Sequence, residues 1–350
     1  MMVFFENDHC VKCHEPLGFI PERLEMAATK NLQAANRNGT IYHTCENRDQ
    51  HHVCNWMVPD ADNKPFCLAC RLNELIPDLS VEGNLARWSR LELAKRQCLY
   101  SLLRLGLPVE QGEDQKTAPL RFRFLADTPA ASAMTGHDGG IITINIAEAD
   151  PHERERRRGE LHEPYRTLVG HFRHETGHYY WDRIIADSPR LQGFRELFGD
   201  DTASYDEALK RYYDQGPARD WQEKSVSAYS SLHPWEDWAE TWAHYLHIMD
   251  TMETAVSFGL GLNTAKRFHA ISNPFPDDLA TAPIDFDKLL NNWEPLTLAL
   301  NSVNRSMGLP DLYPFVISPK AVEKLRFIHE AVRDAAKETR EAAAGQLALK

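Results

Sequence analysis

The cysteines of this chain are unevenly placed, and their placement limits what the first eighty residues can fold into. Six of the seven lie between Cys10 and Cys70, and four of these form two C-x-x-C pairs, Cys10 with Cys13 and Cys67 with Cys70. A C-x-x-C pair presents two thiolates to one tetrahedral metal ion, and two such pairs in sequence are typical of a zinc ribbon. We therefore predict an N-terminal module whose core is a metal site rather than packed side chains.

Two further cysteines, Cys45 and Cys54, leave the number of ions in this module open. Six thiols exceed one tetrahedral site, so either a second ion uses this pair with histidines or water, or one of the three pairs is free. We expect one or two structural zinc ions, and the candidate ligands are Cys10, Cys13, Cys45, Cys54, Cys67 and Cys70. The seventh thiol, Cys98, lies in an apolar helical stretch and is expected to be a core residue.

Composition and periodicity divide the chain into four predicted regions. The ribbon module is followed by a connecting helix, in which apolar residues such as Trp88 and Leu91 recur at helical period. A larger domain comes next, and an Ala-rich tail that we expect to fray ends the chain. The predicted boundaries are 1–80 for the ribbon, 81–110 for the connecting helix, 111–335 for the larger domain and 336–350 for the tail.

The larger domain is predicted to combine a small sheet with many helices. Two strand-like runs, residues 120–125 and 141–146, are separated by a glycine-containing stretch. From Pro164 onward the sequence has mostly helical periodicity, interrupted by glycines and by prolines in the range 274–283. A few strands followed by many helices favours an α+β fold.

Charge and hydropathy restrict the partners of the chain. No run of eighteen or more apolar residues occurs, and the first seven residues lack the basic start and apolar stretch of a secretory signal. We therefore expect a cytoplasmic protein with no membrane partner. The formal net charge is −12, and residues 1–80 hold eleven acidic against seven basic side chains. Nucleic acid is not an expected partner, because a nucleic-acid ribbon is normally basic.

A His-Glu-x-x-His motif, formed by His174, Glu175 and His178, lies in the helical part of the chain. Residues four apart lie one turn apart on a helix, so both histidines can place a ring nitrogen on one ion. Glu175 is rotated away from the ion, where its carboxylate can reach a metal-bound water and act as general base. Gly177 costs about 1 kcal/mol of helix propensity, which indicates a close approach by another segment. The motif is short, so histidines that are merely exposed or core-bonded are the alternative.

A second helical segment, beginning at Pro234, contains a pair of candidate acids. Glu236 and Glu240 are four residues apart and therefore share one helix face. Three tryptophans lie nearby, and no Lys or Arg occurs between positions 235 and 249. Carboxylates without cations beside aromatic rings favour a metal or a histidine as partner, although a solvated helix face is the simpler interpretation.

The chain resembles a bacterial family of zinc-binding metallopeptidases with an N-terminal zinc ribbon. The resemblance extends over nearly the whole chain, and the stretches that carry it are residues 3–7, 54–59, 70–79, 170–175 and 233–240. It implies a mostly helical, zincin-like domain of gluzincin type, with one catalytic zinc and a peptide or protein substrate. Family members have a further C-x-x-C pair ahead of the stretch at 3–7, which this sequence does not contain, so the grouping of the ribbon cysteines stays open.

The resemblance also implies roles for single residues. In gluzincins a glutamate from a second helix is the third metal ligand, and an acid one turn later hydrogen-bonds a ligating histidine. On that pattern Glu236 is the ligand and Glu240 the orienting residue, with the reverse assignment left open. Tyr229, seven residues before Glu236, has a spacing similar to that of the transition-state tyrosine of lethal-factor-like gluzincins, and His233 is the competing oxyanion donor.

The sequence thus predicts zinc-dependent peptide-bond hydrolysis, in which metal-activated water attacks the scissile carbonyl with Glu175 as general base. The strand at 141–146 is expected either to pair as an edge strand with the substrate backbone or to be a buried structural strand. One alternative function remains, a ribbon protein that binds nucleic acid or protein and carries an accessory or inactive His-Glu-x-x-His domain. Substrate identity, cleavage position and oligomeric state do not follow from the sequence.

Overall fold

A computed structural model describes residues 3–29, 33–35, 39–110, 118–128, 133–154, 167–264, 267–270 and 284–348. The chain divides into two compact units. The first unit comprises Met1–Arg104 and Val109–Arg157, and the second comprises Leu105–Pro108 and Arg158–Lys350. The strands expected in the larger domain therefore belong to the first unit, together with the ribbon. Small sheets and many helices make the protein α+β, which confirms the predicted fold class.

The ribbon part of the first unit consists of short antiparallel strands and two short helices. Strands β1 (Leu17–Ile20) and β2 (Glu25–Ala28) form one sheet, and β3 (Gln33–Ala35), β4 (Ile41–Thr44) and β5 (Met57–Pro59) form another in that order. Helices α1 (Glu46–His51) and α2 (Leu68–Arg71) follow β4 and β5 respectively. Ile20, Tyr42 and Met57 pack together in one apolar cluster, and the buried Phe19 and Trp56 rings lie with their centroids 5.0 Å apart. The ribbon therefore has packed apolar side chains beside its buried cysteines, which the prediction of a metal site in place of a packed core did not anticipate.

The rest of the first unit is a helix and a four-stranded sheet. Helix α3 (Asn84–Arg104) buries Trp88, Leu91 and Cys98, which confirms the helical stripe and the core position of the lone thiol. The sheet has the order β6-β7-β9-β8, and its strands are β6 (Asn73–Leu75), β7 (Arg121–Leu125), β8 (Gly136–Asp138) and β9 (Ile141–Asn145).

Strand β9 is an internal strand of this sheet. It pairs in parallel with β7 and antiparallel with β8, and its side chains Ile142 and Ile144 are fully buried. The edge-strand interpretation of residues 141–146 is therefore wrong. β-Branched residues at alternate positions are typical of a strand that packs into a core. The strand is therefore the buried structural strand that was the other alternative.

The second unit is mainly helical. Its helices are α4 (Leu168–Ile184), α5 (Leu191–Phe198), α6 (Tyr205–Gln215), α7 (Trp221–Lys224), α8 (Pro234–Ser257), α9 (Phe286–Ser306) and α10 (Pro319–Ala348). A hairpin of β10 (Gly261–Thr264) and β11 (Arg267–Ala270) follows α8. The predicted helix start at Pro164 and the prolines in 274–283 lie outside the described residues. Within them α4 begins at Leu168, because the Thr167 side chain caps it by accepting the Gly170 N–H at 3.0 Å.

Helices α4 and α8 approach closely at Gly177. A Cβ atom at this position would lie 2.9 Å from Ala239 Cα and 3.2 Å from Trp242 Cβ, both on α8. The indole N–H of Trp238 donates to the Gly177 carbonyl oxygen at 2.8 Å, and the Tyr180 ring stacks on Trp242. The close approach expected at this glycine is therefore confirmed, and it brings side chains of the two helices within reach of each other.

The C-terminal region predicted as a tail is helical, and its fraying stays a prediction. Helix α10 continues through the predicted boundary at 336 and ends at Ala348, and Ala335 and Ala336 are buried. Alanine has the highest helix propensity of all residues, and burial of two alanines adds apolar contacts, so the helix continues where a tail was expected.

None of the described helices combines the length and apolar character needed to cross a bilayer.

Candidate metal centres

Three side chains from α4 and α8 converge on one point of the second unit. His174 Nε2 lies 3.2 Å from His178 Nε2, and Glu236 Oε2 lies 3.0 Å from the first nitrogen and 3.6 Å from the second. His178 and Glu236 are buried, and His174 is largely so. The structure thus brings together both histidines of the motif and the glutamate that sequence reasoning named as third ligand.

The spacing of these three atoms fits a tetrahedral metal ion. Zinc binds imidazole nitrogen and carboxylate oxygen at about 2.0–2.1 Å, so neighbouring ligand atoms on a tetrahedron are about 3.3 Å apart. The observed separations of 3.2, 3.0 and 3.6 Å lie around this value. Among the described residues no side chain donates a geometrically acceptable hydrogen bond to the buried Oε2 of Glu236. A buried carboxylate oxygen that faces two imidazole nitrogens is suited to a cation.

The outer side of the centre is formed by Glu240 and Ser227. Glu240 Oε1 lies 2.7 Å from Nδ1 of His174, and the Ser227 hydroxyl donates to Glu240 Oε2 at 2.6 Å. A carboxylate on Nδ1 fixes the tautomer that leaves Nε2 free to bind a metal. This arrangement favours Glu236 as ligand and Glu240 as orienting residue over the reverse assignment. Ser227 was not found from the sequence, because nothing in its surroundings forms a recognisable motif.

The electrostatics of the centre follow from this geometry. Burial raises the pKa of Glu236, but the adjacent His178 and His174 rings more than compensate and bring it well below its usual range. Burial lowers the pKa of His174, but the carboxylates of Glu236 and Glu240 have the larger effect and raise this pKa well above its usual value of 6.5. The pKa of Glu240 is also lowered, because His174 outweighs the effect of burial. The carboxylates are therefore ionised, as metal ligation and histidine orientation both require.

Glu175 directly follows the first histidine and is also buried. One residue advances about 100° around a helix, so its side chain lies beside the His174 and His178 face rather than on it. The Glu175 carboxylate is near enough to Tyr205 to contribute to the raised pKa of that phenol, for which burial is the main cause. The structure thus has a carboxylate at the edge of the candidate metal centre.

The two candidate oxyanion donors differ in how their polar atoms are used. Nδ1 of His233 accepts the Trp235 backbone N–H at 3.1 Å and so caps α8, while Nε2 donates to the Ala203 carbonyl oxygen at 3.1 Å. Both nitrogens of His233 are committed to local structure. Tyr229 is half-buried, and its ring centroid lies 6.1 Å from that of His174. The geometry therefore favours Tyr229 over His233.

Two other histidines of α8 have structural partners. His244 Nδ1 lies 2.6 Å from the Tyr313 hydroxyl, and burial lowers its pKa to about 4. His247 contacts the Arg173 guanidinium, which in turn binds Asp250. These contacts join α8 to its neighbours and are not part of the convergent group.

A second candidate centre lies in the ribbon. The thiols of Cys45, Cys54, Cys67 and Cys70 lie within 4.8 Å of one another, and all four are buried. Cys54 Sγ is 3.6 Å from Cys67 Sγ, and the Cys67 N–H points at Cys45 Sγ at 3.4 Å. Four buried thiols at this spacing match a closed tetrahedral zinc site.

The sequence left the grouping of the six ribbon cysteines open. In the structure the thiols of Cys67 and Cys70 lie with those of Cys45 and Cys54 rather than with the other C-x-x-C pair. The reason is that β4 and α1 bring these two cysteines next to α2. Cys10 and Cys13 form their own turn, in which the Cys13 N–H lies 3.4 Å from Cys10 Sγ. Within the described residues they belong to no group of three or more potential ligands.

A buried arginine accompanies the thiols. Arg96 of α3 donates to the Val53 carbonyl oxygen at 2.6 Å and lies close to the cluster. Burial lowers its pKa, but Cys54 and Glu92 reverse that effect and the pKa is raised. A zinc ion with four thiolates carries a net charge of −2, so a fixed guanidinium compensates part of it. Arg96 was not predicted, because a basic residue on a long helix is ordinarily exposed.

Comparisons with known proteins find two zinc-binding families that match the chain. Residues 84–331 match a family described as "Putative zinc-binding metallo-peptidase", and residues 1–81 match a zinc-ribbon domain. Uncharacterized proteins of Mycobacterium bovis and of two strains of Mycobacterium tuberculosis are 41% identical over 333 residues, which cover 95% of this chain and 92% of each relative. No solved structure matches the chain. With a ribbon domain ahead of a match that covers more than half of its length, the chain belongs to this family of zinc-binding metallo-peptidases.

Proposed function

We propose that the protein is a gluzincin-type zinc peptidase that hydrolyses peptide bonds of a peptide or protein substrate. The observation that carries the proposal is the convergence of His174 Nε2, His178 Nε2 and Glu236 Oε2, with separations that fit one tetrahedral ion. Three protein ligands leave one coordination position open, which is typical of catalytic rather than structural zinc. Bound zinc would supply Lewis acidity and lower the pKa of a water molecule to about 7.

The side chains around the centre have distinct roles in this proposal. Glu175 accepts the proton of the attacking water on its carboxylate and transfers it to the leaving amine as the C–N bond breaks. Glu240, held by Ser227, keeps the His174 ring oriented through Nδ1. Tyr229 directs its hydroxyl to the oxyanion that develops on the carbonyl oxygen. The ribbon cysteines Cys45, Cys54, Cys67 and Cys70 would hold a structural zinc ion with no open position.

The proposal is tested by separating metal binding from turnover. Zinc per chain is measured by elemental analysis, and cleavage is followed on a mixed peptide library by mass spectrometry. In Glu175→Gln we expect unchanged zinc and a loss of turnover of about 10²–10⁴-fold, the usual contribution of a general base. Glu196→Gln is a matched control on an exposed carboxylate of α5 and should keep full activity. A Glu175→Gln protein that cleaves peptides at the wild-type rate would refute the assignment.

A further inference from the structure

The first turn of α6 brings a tyrosine to the candidate centre that the sequence did not single out. Ser204 caps α6, and the His233 ring donates to the Ala203 carbonyl oxygen at 3.1 Å. His233 is also the N-cap of α8, so the beginnings of the two helices are tied together. Tyr205, the first residue of α6, is thereby held next to Glu236, in the first turn of α8.

The Tyr205 hydroxyl donates to Glu236 Oε1 at 2.7 Å. An ionised carboxylate can only accept hydrogen bonds, so the phenol must be the donor. The other oxygen of the same carboxylate, Oε2, faces the Nε2 atoms of His174 and His178. The two oxygens of Glu236 therefore have different partners, and the tyrosine fixes which one is directed at the histidines.

We propose that Tyr205 is a positioning residue of the centre formed by His174, His178 and Glu236, where it holds Glu236 with a single oxygen directed to the metal. The proposal rests on the proposed function, because it takes Glu236 as the third zinc ligand. Without the phenol, Oε1 would lose its hydrogen bond and the carboxylate would be free to rotate. Loss of such an outer contact typically lowers metal affinity by about 10–100-fold.

The test compares Tyr205→Phe with Tyr213→Phe in the full-length zinc-loaded protein. Both variants lose one phenol oxygen from α6, but Tyr213 is 60% exposed. Each protein is equilibrated with increasing concentrations of chelator, and the zinc that remains bound per chain is measured. Each centre is expected to lose its zinc over its own range of chelator concentration. The loss that is absent from a His174→Ala, His178→Ala protein belongs to the centre formed by His174, His178 and Glu236. In Tyr205→Phe we expect this loss at about 10–100-fold lower chelator concentration, whereas the loss of zinc from the ribbon cysteines should be unchanged. Tyr213→Phe should match the wild-type protein in both losses.

Two results would overturn the assignment of Tyr205. One is a loss of zinc from the centre of His174, His178 and Glu236 at unchanged chelator concentration. The other is an equal shift of the zinc loss from both centres, which would indicate general destabilisation. Phenylalanine keeps the edge contacts of this ring with His233 and Trp235, at centroid distances of 5.5 and 6.0 Å, so the variant should fold. The readout needs no turnover. A wild-type protein that binds zinc at this centre but cleaves no peptide would refute the proposed function without touching the role of Tyr205.

Discussion

Gly177→Ala tests the helix contact on which the candidate centre depends. Alanine at a helix interior position gains about 0.8–1 kcal/mol of propensity over glycine. At Gly177, however, the new methyl group would lie 2.9 Å from Ala239 Cα and 3.2 Å from Trp242 Cβ. These are backbone and near-backbone atoms that cannot rotate away, so α4 and α8 must separate. Forcing an extra methyl into a packed core costs about 1–3 kcal/mol.

The matched control is Gly345→Ala. Gly345 lies in α10. Apart from its chain neighbours and the backbone of its own helix, no described atom lies within 4 Å of a Cβ at this position. This variant changes propensity without crowding, so the difference between the two variants isolates the steric cost. We expect Gly177→Ala to be less stable than Gly345→Ala by about 1–3 kcal/mol.

The assay is thermal unfolding of both variants at matched zinc. For a domain of 150–250 residues, 1 kcal/mol shifts the Tm by about 2–4 °C, so the midpoints should differ by at least about 2 °C. Separation of α4 from α8 also moves the histidines away from Glu236, so zinc at this centre should be bound more weakly. A Gly177→Ala protein as stable as Gly345→Ala, with unchanged zinc affinity, would refute the close-approach argument.

Three further changes test the two centres and the core. Glu240→Ala should lower the zinc affinity of the centre formed by His174, His178 and Glu236 by about 10–100-fold, whereas Glu236→Ala should abolish zinc binding there. Equal effects of the two substitutions in chelator titrations would contradict their different roles. Cys54→Ser should reduce zinc by one ion per chain, whereas Cys13→Ser should leave it unchanged, as elemental analysis can decide. Burial lowers the pKa of His329 to about 4. The contribution of His329 to stability should therefore fall as the pH drops below 6.5, by about 2 kcal/mol between pH 7.5 and 5, and His329→Leu should remove this contribution from the pH dependence seen in denaturant titrations.

The part of the centre that the sequence could predict is the part determined by helix geometry. The spacing of His174 and His178 fixes their common face wherever the helix lies, and the same holds for Glu236 and Glu240 on α8. The need for a small residue at position 177 was also visible, because glycine is otherwise unfavourable in a helix. These inferences require only the period of one helix at a time.

The remaining contacts depend on how separate elements meet, and local sequence does not encode that. Ser204 and Glu207 have the spacing of a helix start, yet nothing in that pattern says that Tyr205 reaches Glu236. Ser227 reaches Glu240 from a bend in the connection between α7 and α8, where no periodicity exists to interpret. The grouping of the cysteines stayed open for the same reason, since C-x-x-C spacing defines one pair of ligands but not the second pair that shares its ion.

The two candidate centres differ in the feature that separates structure from chemistry. Four buried thiols complete a tetrahedron, so the ribbon centre has no position left for a water molecule or a substrate, and a nearby Arg96 compensates its charge. A zinc ion held in the other centre by two imidazoles, which are neutral when they ligate, and one carboxylate would keep a net positive charge and one free position. In the proposed mechanism Glu175 lies beside that position rather than on the ion, so that it moves a proton instead of occupying the metal. The same ion is therefore expected to stabilise the fold in the first unit and to support catalysis in the second.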